Sequence, residues 1–414
     1  MMIYQALAGI VVLLGIAWGL SEDRRALSWR LVGAGLALQL GIAFLLIRAP
    51  VVAEALFVVN KGVIAIETAT TAGASFVFGF LGGGEVPFEI TAENAMYIFG
   101  FRVLPQILVF SVLVAVFWHW GVLPVIVRGF AWALRRSMGV GGAVGVAAAA
   151  SVFLGMVEAP LVVRAYLRNL SRSELFTVMT CGMATVAGSV MILYSNLLSG
   201  VVDNPLGHVL VASVISIPAA IMVARVMIPS ADATEGGDLA EGLRYESTVD
   251  AITRGTADGL RLIGNILAML IVLVSLVALV NLMLGALPHV AGEALSLERM
   301  LGWVFAPVAW LMGIPWSEAA TAGSLLGTKL ILNELVAYID LAALPDGALG
   351  PRSDIIMAYA LCGFANFGSL GIMIGGISAL CPERRTDILA LSPRTLISGT
   401  IVTCMTGAVV GIVY

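Results

Sequence analysis

Apolar runs of about twenty residues recur eight or more times along this chain, separated by short polar loops, and no other feature limits its fold as much. A hydrocarbon core of roughly 30 Å needs about 20 apolar residues for each spanning helix. Inside that core every backbone N–H and C=O must find its partner within the protein, which long uninterrupted runs achieve as helices. Apolar residues fill 60% of the 414 positions and charged residues only 12%, so the bilayer is the solvent for most of the chain and no room is left for a soluble catalytic domain. The opening MMIYQALAGIVVLLGIAWGL carries no basic residue ahead of its apolar run and no small-residue cleavage pattern after it, and reads as a retained first helix.

Several classes of function find no support. A net charge of −4 spread over loops argues against nucleic-acid binding and against an acidic tail. Cys181, Cys362, Cys381 and Cys404 lie in or beside apolar segments without CxxC spacing, as buried thiols do. His119, His208 and His289 show no ligand spacing, and no glycine motif for phosphate is present, so neither a transition-metal site nor an ATP-driven pump is expected. Neighbouring helices offer no nucleophile with a base, so the chain reads as a protein without cofactor that is not an enzyme.

Basic loops orient the helices. Arg24, Arg25 and Arg30 place the first loop inside and Met1 outside. A second helix over residues 31–48 then leads to an outer segment whose amphipathic stretch, EALFVVNKGVIAIETATTAGASFVFGFLG, reads as lying along the interface, with a span as the alternative. The helix over 102–120 returns to a Trp-bearing interfacial segment with Arg128, Arg135 and Arg136, and Arg164, Arg168 and Arg172 follow. Residues 137–163 lie between these two inner clusters, so that segment must enter and come back. Helices over 174–199 and 208–228 cross out and in, and a polar connector precedes a long helix over 257–286. Outer loops carry Glu298, Glu318, Asp340, Asp346 and Asp354. A helix over 355–380 returns to Arg384, Arg385 and Arg394, and the last helix exits at Tyr414.

Two segments share an order of features. Met-Gly at 138–139 precedes Glu158 by about twenty residues, as Met-Gly at 312–313 precedes Glu334. A Tyr follows each Glu (Tyr166, Tyr338), a Trp-containing segment precedes each (Trp132, Trp310), and Cys-Gly opens the next helix in CGMATVAGSVM and CGFANFGSLGIM. One copy starts inside and the other outside, which makes an inverted repeat, and such a repeat with interrupted segments in matching places points to alternating access around a midplane site. In GMVEAP, Pro160 biases Ala159 away from helix, so a break is predicted next to Glu158.

A carboxylate in hydrocarbon costs at least about 2.5 kcal/mol on insertion scales, so Glu158 and Glu334 are read first as site residues, Asn333 adjoining the second. The competing reading makes them helix caps or partners of Lys329 or Arg164. Asn366 and Ser369 share a face in GFANFGSLG, a glycine-rich stretch expected to unwind, where they bind a polyhydroxylated ligand or join helices. Ser151 and Thr185, with the main chain at Val152 and Val186, would suit a small hard cation, with packing by small residues the alternative.

From Phe101 onward, FRVLPQILVFS, GMVEAPLVVRAYL, CGMATVAGSVM, DAITRGTADGLRL, GSLLGTKLILNELVAY and CGFANFGSLGIMIGG follow one another as the motifs of the concentrative nucleoside transporters do, and the chain resembles the bacterial type of that family. The resemblance implies an all-α membrane protein of eight transmembrane helices, with two opposed re-entrant hairpins in an inverted repeat plus interfacial helices. It further implies a homotrimer in the bacterial inner membrane, with both termini on the outer side, that moves a transport domain against a scaffold. Residues 1–120 and 208–296 would form N-terminal and scaffold parts, 121–207 and 297–386 the two transport repeats, and 387–414 the final helix.

The family's ribose-binding groups fall on Glu334, Asn366 and Ser369, beside Asn333 and Phe364. Where the family commonly has Gln and a hydroxyl residue before Glu158, this chain has Met156 and Val157, so the choice of base, or a nucleoside-like cargo in its place, stays open. The family's sodium site falls on Ser151, Val152, Thr185 and Val186, with Ser151 in place of Asn, and coupling to sodium or, through Glu158, to protons stays open as well. The expected partners are a nucleoside and membrane lipids, without nucleic acid.

Overall fold

The computed structural model describes residues 2–48, 65–66, 68–89, 98–102, 104–230, 244–290, 292 and 294–414. Every regular element among them is helical. The chain opens with α1 (Met2–Gly19) and α2 (Trp29–Arg48), both long and apolar enough to cross a bilayer alone. The expected interfacial stretch lies partly outside the described residues; its described part is helical over 68–78, with Phe76 and Val77 exposed.

Next come α3 (Leu104–His119) and α4 (Val122–Met138), then the first hairpin, whose entering arm is α5 (Gly142–Ala150) and whose returning arm is the short α6 (Glu158–Val162). The tip, residues 151–157, is irregular. The chain breaks where predicted, next to Glu158, at which α6 begins, but not for the predicted reason: Ala159 is helical and Pro160 sits in the first turn of α6. There its missing N–H costs no hydrogen bond, so proline starts this helix and does not end one.

The crossing expected over 174–199 is two helices, α7 (Arg172–Ala184) and α8 (Gly188–Leu197), parted by an extended Thr185. α7 starts at a capping box in which Ser171 and Glu174 satisfy each other's backbone N–H groups. α9 (Pro205–Met227) is one of the most buried helices, with Pro205 in its first turn. The polar connector lies partly outside the described residues. α10 (Thr248–Gly285) begins well before the expected residue 257, because Ser247 caps it by accepting from Asp250 N and Asp250 pairs with Arg254 one turn on.

The second hairpin is prepared by α11 (Leu297–Leu311), which turns through 118° into the entering arm α12 (Trp316–Ile331). Gly302 and Gly323 let α11 and α12 touch backbone to backbone: a Cβ on Gly323 would stand 2.5 Å from the Gly302 carbonyl oxygen. α13 (Glu334–Ala342) is the returning arm. The expected unwinding in GFANFGSLG falls between α14 (Pro351–Leu361) and α15 (Phe367–Leu380), and α16 (Arg385–Val413) closes the chain.

Two ends of the bundle are distinguishable. At one, Arg48 donates to the carbonyls of Val413 and Tyr414 at 2.9 Å each, and Arg352 donates to Gly313 O at 2.7 Å and to Gly411 O, so both chain termini and the turn before α12 share this end. At the other, Glu22 pairs with Arg172 at 3.0 Å and Arg394 at 2.5 Å. α10 crosses α3 closely through Gly255 and Gly259, whose absent side chains would meet Val112 Cα at 2.9 Å and Ser111 Cβ at 3.0 Å. This is the small-residue spacing that membrane helices use to approach each other.

Candidate functional site

The two hairpin tips come from separate parts of the sequence and line one cavity of about 370 Å³. Phe153 to Glu158 contribute from the first tip, Leu332 to Leu335 from the second, and Phe364, Asn366 and Ser369 from the break before α15. The two breaks also touch each other. Phe364 N donates to Thr185 O at 3.3 Å, and Gly363, at φ +155°, fits where any Cβ would lie 2.6 Å from Thr403 Cγ2.

Glu334 is the first residue of α13 and is 5% exposed, its carboxylate gripped from two sides. Tyr194 OH donates to Oε1 at 2.6 Å and Asn366 Nδ2 to Oε2 at 2.7 Å. Asn366 can do this in one orientation only, because its Oδ1 accepts from Ser369 N at 2.7 Å to cap α15. Asn333 does the same for α13, accepting from Val336 N at 2.9 Å. Lys329, buried nearby, donates to Ala360 O and Thr403 Oγ1 at 2.8 Å each, which engages two of its three N–H donors, and it acts on Glu334 through space. A carboxylate offers about four lone-pair directions. With two taken, Glu334 keeps capacity to accept two hydroxyls, and Ser369 adds a hydroxyl on the same wall.

On the first tip, Met156 packs its backbone against Gly182, where a Cβ would meet Met156 Cβ at 3.0 Å, and Val157 nests on Gly376, where a Cβ would lie 2.3 Å from Val157 Cγ2. Both line the cavity, so the face beside Glu158 is apolar. Glu158 is exposed to the cavity, its carboxylate folded over Gly155, where a Cβ would lie 2.3 Å from Glu158 Oε2. Glu158 and Glu334 thus occupy matching places, each first in the returning arm of its hairpin, where a negative charge meets the positive end of a helix dipole.

The facing wall is α3 and α10. Trp118 stands on α3, while Asp258, Arg261 and Asn265 follow one another at helical spacing along α10. Sequence reasoning passed over these and Tyr194, because the first half of α10 carries polar residues beyond this stripe and nothing local singles out the three that line the cavity. Tyr166 and Tyr338, which marked the repeat, lie outside the cavity lining; Tyr338 OH donates to Ala358 O at 2.7 Å and its ring stacks against Tyr194 at 4.8 Å.

Ser151 and Val152, at the start of the first tip, and Thr185 and Val186, in the α7–α8 break, are buried outside the cavity lining. Gly188 N donates to Phe153 O at 2.8 Å and so ties the tip to the α7–α8 break. Ser151 Oγ donates to Ala147 O and Thr185 Oγ1 to Cys181 O, each at 2.9 Å, which commits both protons and leaves both oxygens as acceptors. Neutral hydroxyl and carbonyl oxygens without a carboxylate fit a monovalent hard cation in preference to a divalent one. Among the described residues no cluster of His, Cys, Asp or Glu could hold a metal, and His208 Nδ1 is engaged with Tyr359 OH at 2.9 Å.

Residues 208–411 match the family model described as Na+ dependent nucleoside transporter C-terminus, residues 8–81 the corresponding N-terminus, and residues 100–200 a model described as nucleoside recognition. The chain is 35% identical to a putative nucleoside permease of Escherichia coli (strain K12), over 99% of this chain and 98% of that one. Its fold superimposes on CNTnw in an inward-facing substrate-bound state with TM-score 0.92 at 34% identity, covering 100% of this chain and 98% of that one. A CNTnw variant in an outward-facing state gives TM-score 0.91 at 34% identity, with the same coverage.

Proposed function

This chain belongs to the concentrative nucleoside transporter family, a family of sodium-dependent transporters, and from that premise we propose that it imports nucleosides by cation-coupled symport with an elevator motion. The observation that carries this reading is Glu334, held by Tyr194 and Asn366 with acceptor capacity left over at the wall of a cavity of nucleoside size. Vicinal ribose hydroxyls would donate to its two oxygens, with Asn333, Asn366 and Ser369 beside them and the base directed toward Phe364, Met156 and Val157.

In this mechanism the hairpins with α7, α8, α14 and α15 travel as the transport domain (121–207 and 297–386), and α3 and α10 belong to the standing scaffold. Sodium would bind at Ser151, Val152, Thr185 and Val186 and organise the tip on which Met156 and Val157 sit. Concentrative uptake then requires the fully loaded domain to cross more readily than the domain holding the cation alone. Outward-lying apolar side chains on α10, among them Ile271, Leu279 and Leu282, suit lipid or neighbouring copies, and we assign three copies to the working unit, in a bacterial inner membrane with both termini outside.

Two variants of the reading are favoured by specific residues. Met156 and Val157 offer a base no hydrogen bond, which favours a nucleoside-like cargo or a relaxed choice of base. Glu158, a carboxylate in the cavity wall, favours proton coupling in place of sodium. Uptake of labelled nucleosides by proteoliposomes under an imposed sodium or proton gradient tests all of this. Accumulation above the outside concentration with one gradient supports symport and names the ion. Uptake that stops at equal concentrations, or no saturable uptake with any nucleoside, sinks it.

A further inference from the structure

A second cavity, of about 580 Å³, lies at the Glu22 end of the bundle and shares no lining residue with the transport cavity. Its walls are the loop and first turn of α2, the last turn of α4 and the last turn of α9 with the residues that follow. They bring Arg30, Arg136 and Arg225 around one space. The carboxylate of Glu22 at this end is already shared between Arg172 and Arg394, while the buried Glu174, which accepts from Ser171 N at 2.9 Å, attracts Arg225 through space and offsets part of its charge.

Arg225 makes the pocket more than a basic surface. Its Nε and Nη2 are shut off from solvent and have no hydrogen-bond partner among the described residues. Guanidinium donors left unmet in a protein interior call for an acceptor, and a planar guanidinium suits phosphate oxygens in particular. Ser28 accepts from Leu31 N at 3.3 Å and keeps its own hydroxyl proton to donate, and the start of α2 presents the positive end of a helix dipole. The negative ends of α4 and α9 and the Glu174 carboxylate oppose this, but three full positive charges outweigh one full and two partial negative ones. The walls are held in place: Glu22 N donates to Met227 O at 2.9 Å, and Ser173 Oγ donates to Ile228 O.

We propose that this pocket binds a phosphate-bearing anion, supplied by an anionic lipid headgroup or by a soluble phosphate. Basic pockets between membrane helices on the cytoplasmic side are where such headgroups are recognised, and the arginine-rich end of this bundle is the one that charge bias places there. A bound anion would link α2, α4 and α9 at one point.

The test is thermal unfolding of the purified full-length protein with phosphatidylglycerol, with phosphatidylcholine, or with inorganic phosphate against chloride at equal ionic strength. Arg225→Gln and the double variant Arg30→Gln/Arg136→Gln are measured alongside, the second being safe for folding because both side chains are exposed. Phosphatidylglycerol is expected to raise the midpoint by about 2–4 °C more than phosphatidylcholine, and both variants to lose that difference. Protection by inorganic phosphate, lost in the same variants, supports the site and names a soluble source. Equal midpoints with all additives, or full protection retained in the double variant, overturns the proposal.

Discussion

Tyr194 OH stands 2.6 Å from Glu334 Oε1, so the helix after the first break holds the carboxylate that begins the returning arm of the second hairpin. The two halves of the inverted repeat therefore meet in one hydrogen bond at the site. Tyr194→Phe removes that bond and leaves the ring stacked on Tyr338. A bond to a charged group contributes about 1.5–3 kcal/mol. Nucleoside affinity by calorimetry should fall about ten- to hundred-fold, with the thermal midpoint little changed, and unaltered affinity would remove Tyr194 from the site.

Glu334→Gln keeps the shape but exchanges one acceptor oxygen for an NH₂ group. Its remaining oxygen can accept from Asn366, which leaves too little capacity for two ribose hydroxyls. Concentrative uptake should be lost while the protein elutes as a single species with its normal midpoint. Wild-type uptake by this variant would move the ribose elsewhere.

Met156→Gln restores an amide to the apolar face of the first tip. Each base edge that gains a partner there stands to gain about 1–3 kcal/mol, so affinities across a purine and pyrimidine panel should separate by about five-fold or more. An unchanged rank order and spread would show that the base does not face Met156.

Ser151→Ala and Thr185→Ala each delete one neutral oxygen, the first in the hairpin tip and the second in the α7–α8 break. If sodium binds there, each should raise the half-saturating sodium concentration roughly tenfold, about 1.4 kcal/mol, and leave nucleoside binding intact once sodium is saturating. No shift in either variant, together with loss of coupled uptake in Glu158→Gln, would favour the proton.

Gly376→Ala places a methyl group 2.3 Å from Val157 Cγ2. Overpacking of this kind costs about 1–3 kcal/mol. The midpoint should drop, and Val157→Ala in the same chain should restore most of it. An equal drop in the two backgrounds would mean that α15 does not seat the first tip.

Glu334, Asn366 and Ser369 were legible because polar groups inside apolar runs are few and costly, so local composition exposes them. Tyr194 was not, since a tyrosine fits an apolar run without disturbing it and its hydroxyl matters only beside a partner 140 positions away. Asp258 and Asn265 were hidden for a related reason: α10 reads as one amphipathic helix until α3 shows which face is turned to the hairpins.

The sequence by itself determined a helical membrane protein with an inverted repeat and a carboxylate in each copy, because apolar length and repeated motifs are local properties. Only the tertiary structure decided that the crossing over 174–199 breaks at Thr185, that Pro160 lies in the first turn of a helix, and that the breaks at Thr185 and Phe364 meet. Those outcomes depend on which distant groups satisfy each freed backbone N–H or C=O, as Phe364 N does at Thr185 O and Gly188 N at Phe153 O, and no window of sequence contains both partners.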